Sequence, residues 1–376
     1  MNIGLDITSL IYQRGVSRYT ANLIRALAAY PQCNLKLFGY SLRRKKFLEQ
    51  QADNLLNLKS GKHQVKVQPI PPSIQGKLWW LGLNKIENTY DNLEVFHSWD
   101  WLQPPDKNLP LVSTIHDLAI LKFPETAHPK IVKAHQRSWQ ILFERQAHII
   151  AVSHATKRDI LELIGFPNWR VHVIPEALPV EIRQVSESLT EEEYDQIKAH
   201  LKLGRPYILF VGTREPRKNL KRIIEAWQPL SKDLDLIVAG EKGWNEIGYV
   251  HNPHLRFLGR VSEKELNVLY AEAEIFVYPS LYEGFGLPIL EAFYHGTPVI
   301  TSDISAMIEV AGNAAELVNP KSVEEIRQAM KNILNESQLQ QQQRLQRMII
   351  RLQMFGWQQV ARETVKVYQA AVESGF

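Results

Sequence analysis

Two glutamates eight residues apart, Glu283 and Glu291, bracket the run Gly284-Phe285-Gly286-Leu287-Pro288. The apolar run 274–279 before them reads as a strand, and Pro288 suits the first turn of a following helix. Glycines at 284 and 286 let the chain turn with positive φ and approach a ligand closely. Backbone N–H groups near Gly286 and Leu287 would then be free to meet an anion. Glu283 would stand on the loop at the carboxyl end of a strand, where open α/β sheets bind ligands, and Glu291 about one turn into the helix. Carboxylates accept hydrogen bonds well from vicinal hydroxyls, so a sugar or a ribose is the natural partner. As a bare spacing the pair is better explained by chance, Glu291 merely favouring its helix N-terminus. The glycine and proline setting after a strand is what makes it specific.

A second cluster, Gly212-Thr213-Arg214-Glu215-Pro216-Arg217-Lys218-Asn219, follows the apolar run 207–212. Gly212 permits the turn. Arg217 and Lys218 fall near a helix start, where cations oppose the helix dipole, a local conflict of the kind functional sites carry. A diphosphate would resolve it, with arginine binding bidentately and lysine as a point charge; a solvated basic turn is the plain alternative. In the first half, His116-Asp117 closes the run 111–116, and a neutral imidazole offers one donor and one acceptor. A satisfied histidine at a strand end is the alternative there. Gly15, in Arg14-Gly15-Val16-Ser17, sits between the first strand and a helix through Leu23 and Leu27, a position that a simple strand–helix turn also explains.

These residues need strands to carry them. Short β-branched runs at 2–7, 35–40, 64–70, 94–98, 111–116, 148–153 and 171–175 form one series. Runs at 207–212, 234–239, 255–258, 274–279 and 298–302 form another. Between them the apolar positions follow helical spacing, as in Leu220, Ile223, Ile224 and Trp227, or Leu266, Leu269, Tyr270 and Ala273. Strands alternating with helices predict an α/β fold with parallel sheets covered on both faces, in two series; two Rossmann-like doubly wound domains facing across a cleft are what the family resemblance drawn below implies. The stretch 175–206, poor in strand formers and acidic at Glu191–Glu193, reads as the connection. The expected domains are 1–180, 181–355 and a C-terminal helix, 356–376, whose return to the first domain is implied by the family resemblance drawn below. The Gln- and Arg-rich tail keeps helical spacing at Leu345, Ile349 and Leu352 and predicts one long terminal helix.

Gly-Thr-x-Glu-Pro-Arg-Lys-Asn followed by Glu-Gly-Phe-Gly-Leu-Pro, with a second Glu eight residues after the first, resembles the retaining GT-B glycosyltransferases of family four, the group 1 mannosyl- and glucosyltransferases. Gly259-Arg260-Val261-Ser262 before a helix and Gly240 through Trp244 after a strand extend the resemblance over the whole chain. It implies that Lys218 and Arg217 bind the donor diphosphate and stabilise the leaving group, that Glu283 holds the sugar hydroxyls and Glu291 the ribose. The backbone at Phe285–Leu287 would contact sugar and phosphate, Val261 would line the base pocket, and Gly212, Thr213, Gly284 and Gly15 would let backbone approach the donor. His116 would lie near the reacting carbon, with Asp117 orienting it or its loop. The resemblance also implies no metal, no Asp-x-Asp metal motif and no cofactor, the nucleotide-diphosphate sugar being a co-substrate. Preorganised donors that meet leaving-group charge fit that chemistry. The sequence departs from the family pattern in having Thr213 where many relatives carry Arg, Arg214 where an apolar residue is common, and a single glycine at Gly15; Arg217 is therefore expected at the phosphate in preference to Arg214.

The implied activity is transfer of a hexose, best read as mannose from GDP-mannose, to a glycan or lipid-linked acceptor. The alternatives are a UDP-sugar donor or a non-catalytic nucleotide-sugar-binding relative. No Gly-x-Gly-x-x-Gly follows a strand, which ranks a nicotinamide enzyme low. In 376 residues, 44 Lys and Arg against 40 Asp and Glu leave +4, too mild for wholesale nucleic-acid binding, and 45% apolar content excludes general disorder. The lone Cys33 forms no internal disulfide and no cysteine zinc site. The opening residues read as a strand instead of a signal peptide, and no apolar run approaches membrane-spanning length. A cytoplasmic protein is expected, with an option of peripheral contact at the inner membrane face. For that contact the basic stretch 41–58 is either an anionic-lipid dock or a solvated helix face. Trp79, Trp80, Trp99 and Trp101 are either core or sugar-stacking surfaces.

Overall fold

The computed structural model describes residues 1–12, 15–56, 63–243 and 252–375, with the backbone alone at Thr126. Arg14, Leu58 and Trp244, singled out above, lie outside the described residues. The chain divides into two compact units, Met1–Glu176 with Trp357–Phe376, and Ala177–Gly356.

The first unit holds strands β1 (Asn2–Asp6), β2 (Asn34–Tyr40), β3 (Gln64–Gln68), β4 (Val95–Trp99), β5 (Leu111–Ile115), β6 (His148–Ala151) and β7 (Val171–Val173). They alternate with α1 (Gly15–Ala28), α2 (Lys45–Leu55), α3 (Pro72–Trp80), α4 (Ala119–Lys122), α5 (Pro129–Glu144) and α6 (His154–Leu163). The sheet is parallel throughout, in the order β3-β2-β1-β4-β5-β6-β7. Its central strands are buried on both faces, which is why VFHSW and LVSTI read as continuous runs and not as alternation. Leu48 and Ala52 of α2, and Leu56 just after it, are buried in the unit, so the apolar side of the basic stretch is already used, while Arg43 and Arg44 are exposed.

The second unit begins with a difference from expectation. Residues 175–206 are no bare connection: they form α7 (Val180–Ser188) and α8 (Glu191–His200), both packed on the helix Glu263–Glu272. The acidic run Glu191–Glu193 is the first turn of α8, stabilised by the helix dipole and by a Thr190–Glu193 capping box. Then follow β8 (Tyr207–Val211), α9 (Leu220–Trp227), β9 (Asp235–Ala239), β10 (Leu255–Gly259), α10 (Glu263–Glu272), β11 (Ile275–Tyr278), α11 (Leu287–Tyr294), β12 (Val299–Ser302), α12 (Ala306–Ala311), β13 (Glu316–Val318), α13 (Val323–Leu334) and α14 (Gln338–Gln353). This sheet is also parallel, in the order β10-β9-β8-β11-β12-β13. Strand β13 has three residues with only Val318 buried, too short for a sequence pattern to show.

The tail is two helices, not one. Helix α14 stays in the second unit, and after residues 354–356 α15 (Trp357–Glu373) packs on α1 and on β4, β5 and β6 of the first. Tyr368 of α15 meets buried His97 at 2.7 Å, and the other ring nitrogen of His97 meets Thr114 at 2.9 Å. Burial, with the His116 charge nearby, pushes the His97 pKa down to about 3, so a neutral imidazole bridges sheet and helix. No helix among the described residues is long and apolar enough to cross a membrane.

Candidate active site

In the second unit the strand order reverses between β8 and β11, which pair directly. The loops leaving their carboxyl ends diverge to opposite sides of the sheet and open the crevice where such sheets bind ligands. The first of these loops is Gly212–Asn219 and the second is Pro279–Gly286. They are joined by the Leu281 N–H, which donates to the Arg217 carbonyl at 2.7 Å. The topology therefore brings together residues more than sixty positions apart.

Close approach of backbone shapes the first loop. Gly212 (φ 151°) and Gly240 (φ 142°) end adjacent strands, and a Cβ on Gly240 would lie 2.0 Å from the Gly212 carbonyl oxygen. A Cβ on Gly243 would lie 2.4 Å from the Arg214 carbonyl oxygen. The chain then makes a short 3-10 turn, Pro216–Lys218, and Asn219 takes the left-handed conformation (φ 64°) before α9 starts. The buried Asn219 amide donates to the Pro279 and Pro320 carbonyls at 2.8 and 2.6 Å, clamping the loop to the end of β11. Arg217 and Lys218 thus precede the helix instead of opening it, and a carboxylate compensates their charge.

That carboxylate is Glu283. Lys218 Nζ donates to Glu283 Oε1 at 2.6 Å, and Arg217 Nη1 to Glu283 Oε2 at 3.1 Å. Arg217 Nε also reaches Glu215 at 2.9 Å, and Lys218 the Tyr278 hydroxyl at 2.6 Å. Burial alone would raise the Glu283 pKa, but Lys218 and Arg217 outweigh it and hold the carboxyl at about 2. Burial pulls Lys218 the other way, below the ordinary lysine value, with Arg217 adding repulsion against the attraction of Glu283. Arg214 is placed elsewhere, over the Phe257 ring at 4.9 Å.

The second loop turns at Gly286, which is where the positive φ falls (107°), and α11 starts at Leu287 with Pro288 in its first turn. Its first N–H groups have no partner within the helix. Phe285 is buried edge-on to Phe355, and Glu291 is buried within α11. Ser305, strained at φ 59°, donates its hydroxyl to the Glu283 carbonyl at 2.8 Å. Thr213 follows Gly212 in the first loop, and Val261 lies just past β10 before the Ser262-capped α10. An Asp-x-Asp spacing does occur, contrary to expectation, at Asp233-Leu234-Asp235. It stands at the amino end of β9, away from the loops, where Asp235 meets Arg205 and His254, each at 3.0 Å.

In the first unit His116 leaves the end of β5. Its Nδ1 meets Glu176, which follows β7, at 2.8 Å, while Nε2 is buried without a partner among the described residues. Tyr19 of α1 stands edge-on to the ring at 4.8 Å and Trp99 stacks on it at 6.2 Å. Burial works against a charge here, but the Glu176 hydrogen bond and charge, with Asp100 and Asp117, push the His116 pKa above its ordinary value. Asp117 itself serves the loop, accepting from the Ala119 N–H at 2.8 Å. Gly15 is the first residue of α1, with a φ outside the left-handed region and open space where a Cβ would stand.

Arg217, Lys218 and Glu283 are therefore one cluster, flanked by three residues to which sequence reasoning gave no role: Asn219, Tyr278 and Ser305. Glu176 was missed likewise. Its only signal was a carboxylate directly after the last strand of the first series.

The comparisons agree with this architecture. Residues 192–348 match the family described as glycosyl transferases group 1, and residues 13–181 that described as glycosyltransferase family 4. O-antigen chain mannosyltransferase B of Escherichia coli is 31% identical over 273 residues, 69% of this chain and 70% of that one. The serotype-specific mannosyltransferase WbdA of Escherichia coli is 31% identical over 207 residues, 52% of this chain but 25% of that longer protein. The structure of Anabaena HepE in complex with UDP and glucose gives a TM-score of 0.68 at 16% identity, covering 98% of this chain and 99% of that one. The chain belongs to the group 1 glycosyltransferases of the family-four type, and it is a retaining hexosyltransferase with the GT-B fold.

Proposed function

We propose that the second unit binds a nucleotide-diphosphate hexose, with GDP-mannose the preferred donor, and that the first unit presents a glycan or lipid-linked acceptor hydroxyl. The observation that carries this reading is the largely buried Arg217–Lys218–Glu283 cluster at the switch point beside the start of α11. Two largely buried cations that share the Glu283 carboxylate, with Glu215 on Arg217, are prepared to exchange Glu283 for a diphosphate. Glu283 then turns to the sugar hydroxyls and Glu291 to the ribose, with Val261 along the base and the backbone of Gly212, Thr213 and Gly284–Leu287 along sugar and phosphate. The C1–O bond to the diphosphate breaks with its electron pair going to the departing oxygen, whose charge Lys218 and Arg217 meet. The acceptor oxygen bonds C1 from the same face and passes its proton to that departing phosphate. His116 donates from Nε2 to a hydroxyl of the donor sugar, and Gly15 leaves room for phosphate at the start of α1. No metal enters this scheme.

Mannose is favoured because the similar Escherichia coli proteins are mannosyltransferases. A UDP-sugar is the second reading, favoured by the UDP and glucose bound to the Anabaena structure. A thermal-shift panel with GDP, UDP, ADP and their sugar conjugates tests the donor. A ligand at 100 times its Kd stabilises by about 2.7 kcal/mol. A shift confined to guanine nucleotides is the expected result; one confined to uracil nucleotides selects the second reading, and none at all removes the donor site. A cytoplasmic location, with or without membrane contact, belongs to the same proposal.

A further inference from the structure

A cavity of about 410 Å³ opens in the first unit between α3 and α5. Its aromatic and aliphatic lining comes from Trp80, Trp101 and Leu102, and its charge from Lys130, Lys133 and Arg137. The three cations fall on one stripe of α5, at i, i+3 and i+7. None has a carboxylate at ion-pair distance among the described residues. Arg137 lies over the Trp80 ring at 5.4 Å. Asp100, close in sequence to Trp101, is taken by His135 at 3.3 Å. The α3 wall continues outward as an unusual concentration of exposed apolar side chains: Ile74 at 48%, Trp80 at 64%, Leu81 at 59% and Leu83 at 52%. Inward, Trp101 stacks on Trp99, and Trp99 stacks on His116. The cavity therefore ends one aromatic ring from the histidine placed at the reaction.

An uncompensated positive stripe facing a tryptophan wall matches one ligand chemistry, an anion joined to an apolar body. Free cations beside water gain from a phosphate, and apolar area left exposed at this density marks a binding surface. We propose that the cavity binds the carrier end of the acceptor: an aliphatic chain linked through a phosphate or diphosphate ester. The anionic group lies against Lys130, Lys133 and Arg137. The chain runs along Trp80, Trp101 and Leu102 toward Leu81 and Leu83. This deepens the acceptor half of the proposed function and rests on that reading.

Dodecyl phosphate below its micellar concentration is the probe, titrated into the full chain by calorimetry. Dodecyl maltoside, inorganic phosphate and phosphatidylglycerol vesicles are parallel arms. Saturable binding of one dodecyl phosphate per chain is expected, at least tenfold tighter than dodecyl maltoside or inorganic phosphate. Lys130→Gln, Lys133→Gln and Arg137→Gln combined should weaken it at least tenfold, and Trp80→Ala at least fivefold. All four positions are exposed, so unchanged melting curves verify the fold. Equal affinity in the triple variant, or equal affinity for the neutral maltoside, overturns the proposal. Retention on vesicles without binding of the monomer also overturns it and makes a membrane surface the partner. Nucleotide thermal shifts, run on the unaltered chain and on every variant, separate the two readings: no dodecyl phosphate binding by the unaltered chain, with its nucleotide shifts intact, defeats the cavity alone. Intact dodecyl phosphate binding without any nucleotide shift defeats the donor site and leaves the cavity standing.

Discussion

Lys218 and Glu283 carry opposite charges in one largely buried pair; without Lys218 the carboxylate keeps only Arg217, and without Glu283 the ammonium keeps only the Tyr278 hydroxyl and stands beside Arg217 uncompensated. Lys218→Ala should lower kcat at least about 100-fold, the scale of losing one transition-state donor. It should also cost about 1.5–3 kcal/mol of stability, since Glu283 loses its shorter charge-assisted hydrogen bond and keeps only the one from Arg217; wild-type turnover would refute the assignment of Lys218 to the leaving group. Because the Glu283 pKa falls from 4.5 to about 2 on folding, its contribution is fully present above about pH 4.5 and is lost as pH drops toward 2. Glu283→Gln should flatten that acid limb in a pH series of denaturant melts. His116 has the opposite sign. Its pKa is raised, so the Glu176 pair stabilises fully below about pH 6.5 and fades as pH climbs through the raised value. Glu176→Gln should move the His116 imidazole titration, followed by NMR, to lower pH and carry the alkaline limb of the transfer rate with it. An alkaline limb that stays put would take His116 out of the donor role.

At the scale of elements, the strands read from the sequence are all present, each within two residues at its ends, because parallel strands buried on both faces leave unbroken apolar runs. Helices were harder where polarity hid them. The acidic first turn of α8 looked like linker, and the break at 354–356 lies inside a tail whose spacing stays helical on both sides. Of the cluster in the second unit, Arg217, Lys218 and Glu283 were legible because each stands in a local motif. Tyr278, Asn219 and Ser305 were not, since their contacts arise only when β8 and β11 pair and the loop after β12 folds back. Glu176 likewise acquires its partner from a strand sixty residues away. Gly240→Ala tests how much the loops depend on backbone contact. The added methyl would meet the Gly212 carbonyl at 2.0 Å in a conformation that alanine disfavours, so the first loop must shift. Nucleotide binding should fall at least tenfold by calorimetry while the first unit's melting is unchanged; retained affinity would show that the loop tolerates displacement.

At the scale of the whole molecule, the first unit is discontinuous: 180 residues of the second unit, Ala177–Gly356, are inserted before α15 completes it. Helix α15 buries Val360, Ala361, Val365, Val367 and Tyr368 in that first unit. Tyr368→Phe would leave His97 Nδ1 without its partner, at a cost of about 1–3 kcal/mol. The loss should appear in the unfolding transition of the first unit and leave nucleotide-dependent stabilisation of the second intact. The arrangement also sets an order of events during synthesis. A growing chain releases all of the second unit before the helix that finishes the first, so the half made earliest must wait longest with its sheet uncovered along β4 to β6. Folding on the ribosome would then run inside out, with the inserted unit closing first, and a chaperone bound to the nascent protein would be holding its oldest segment.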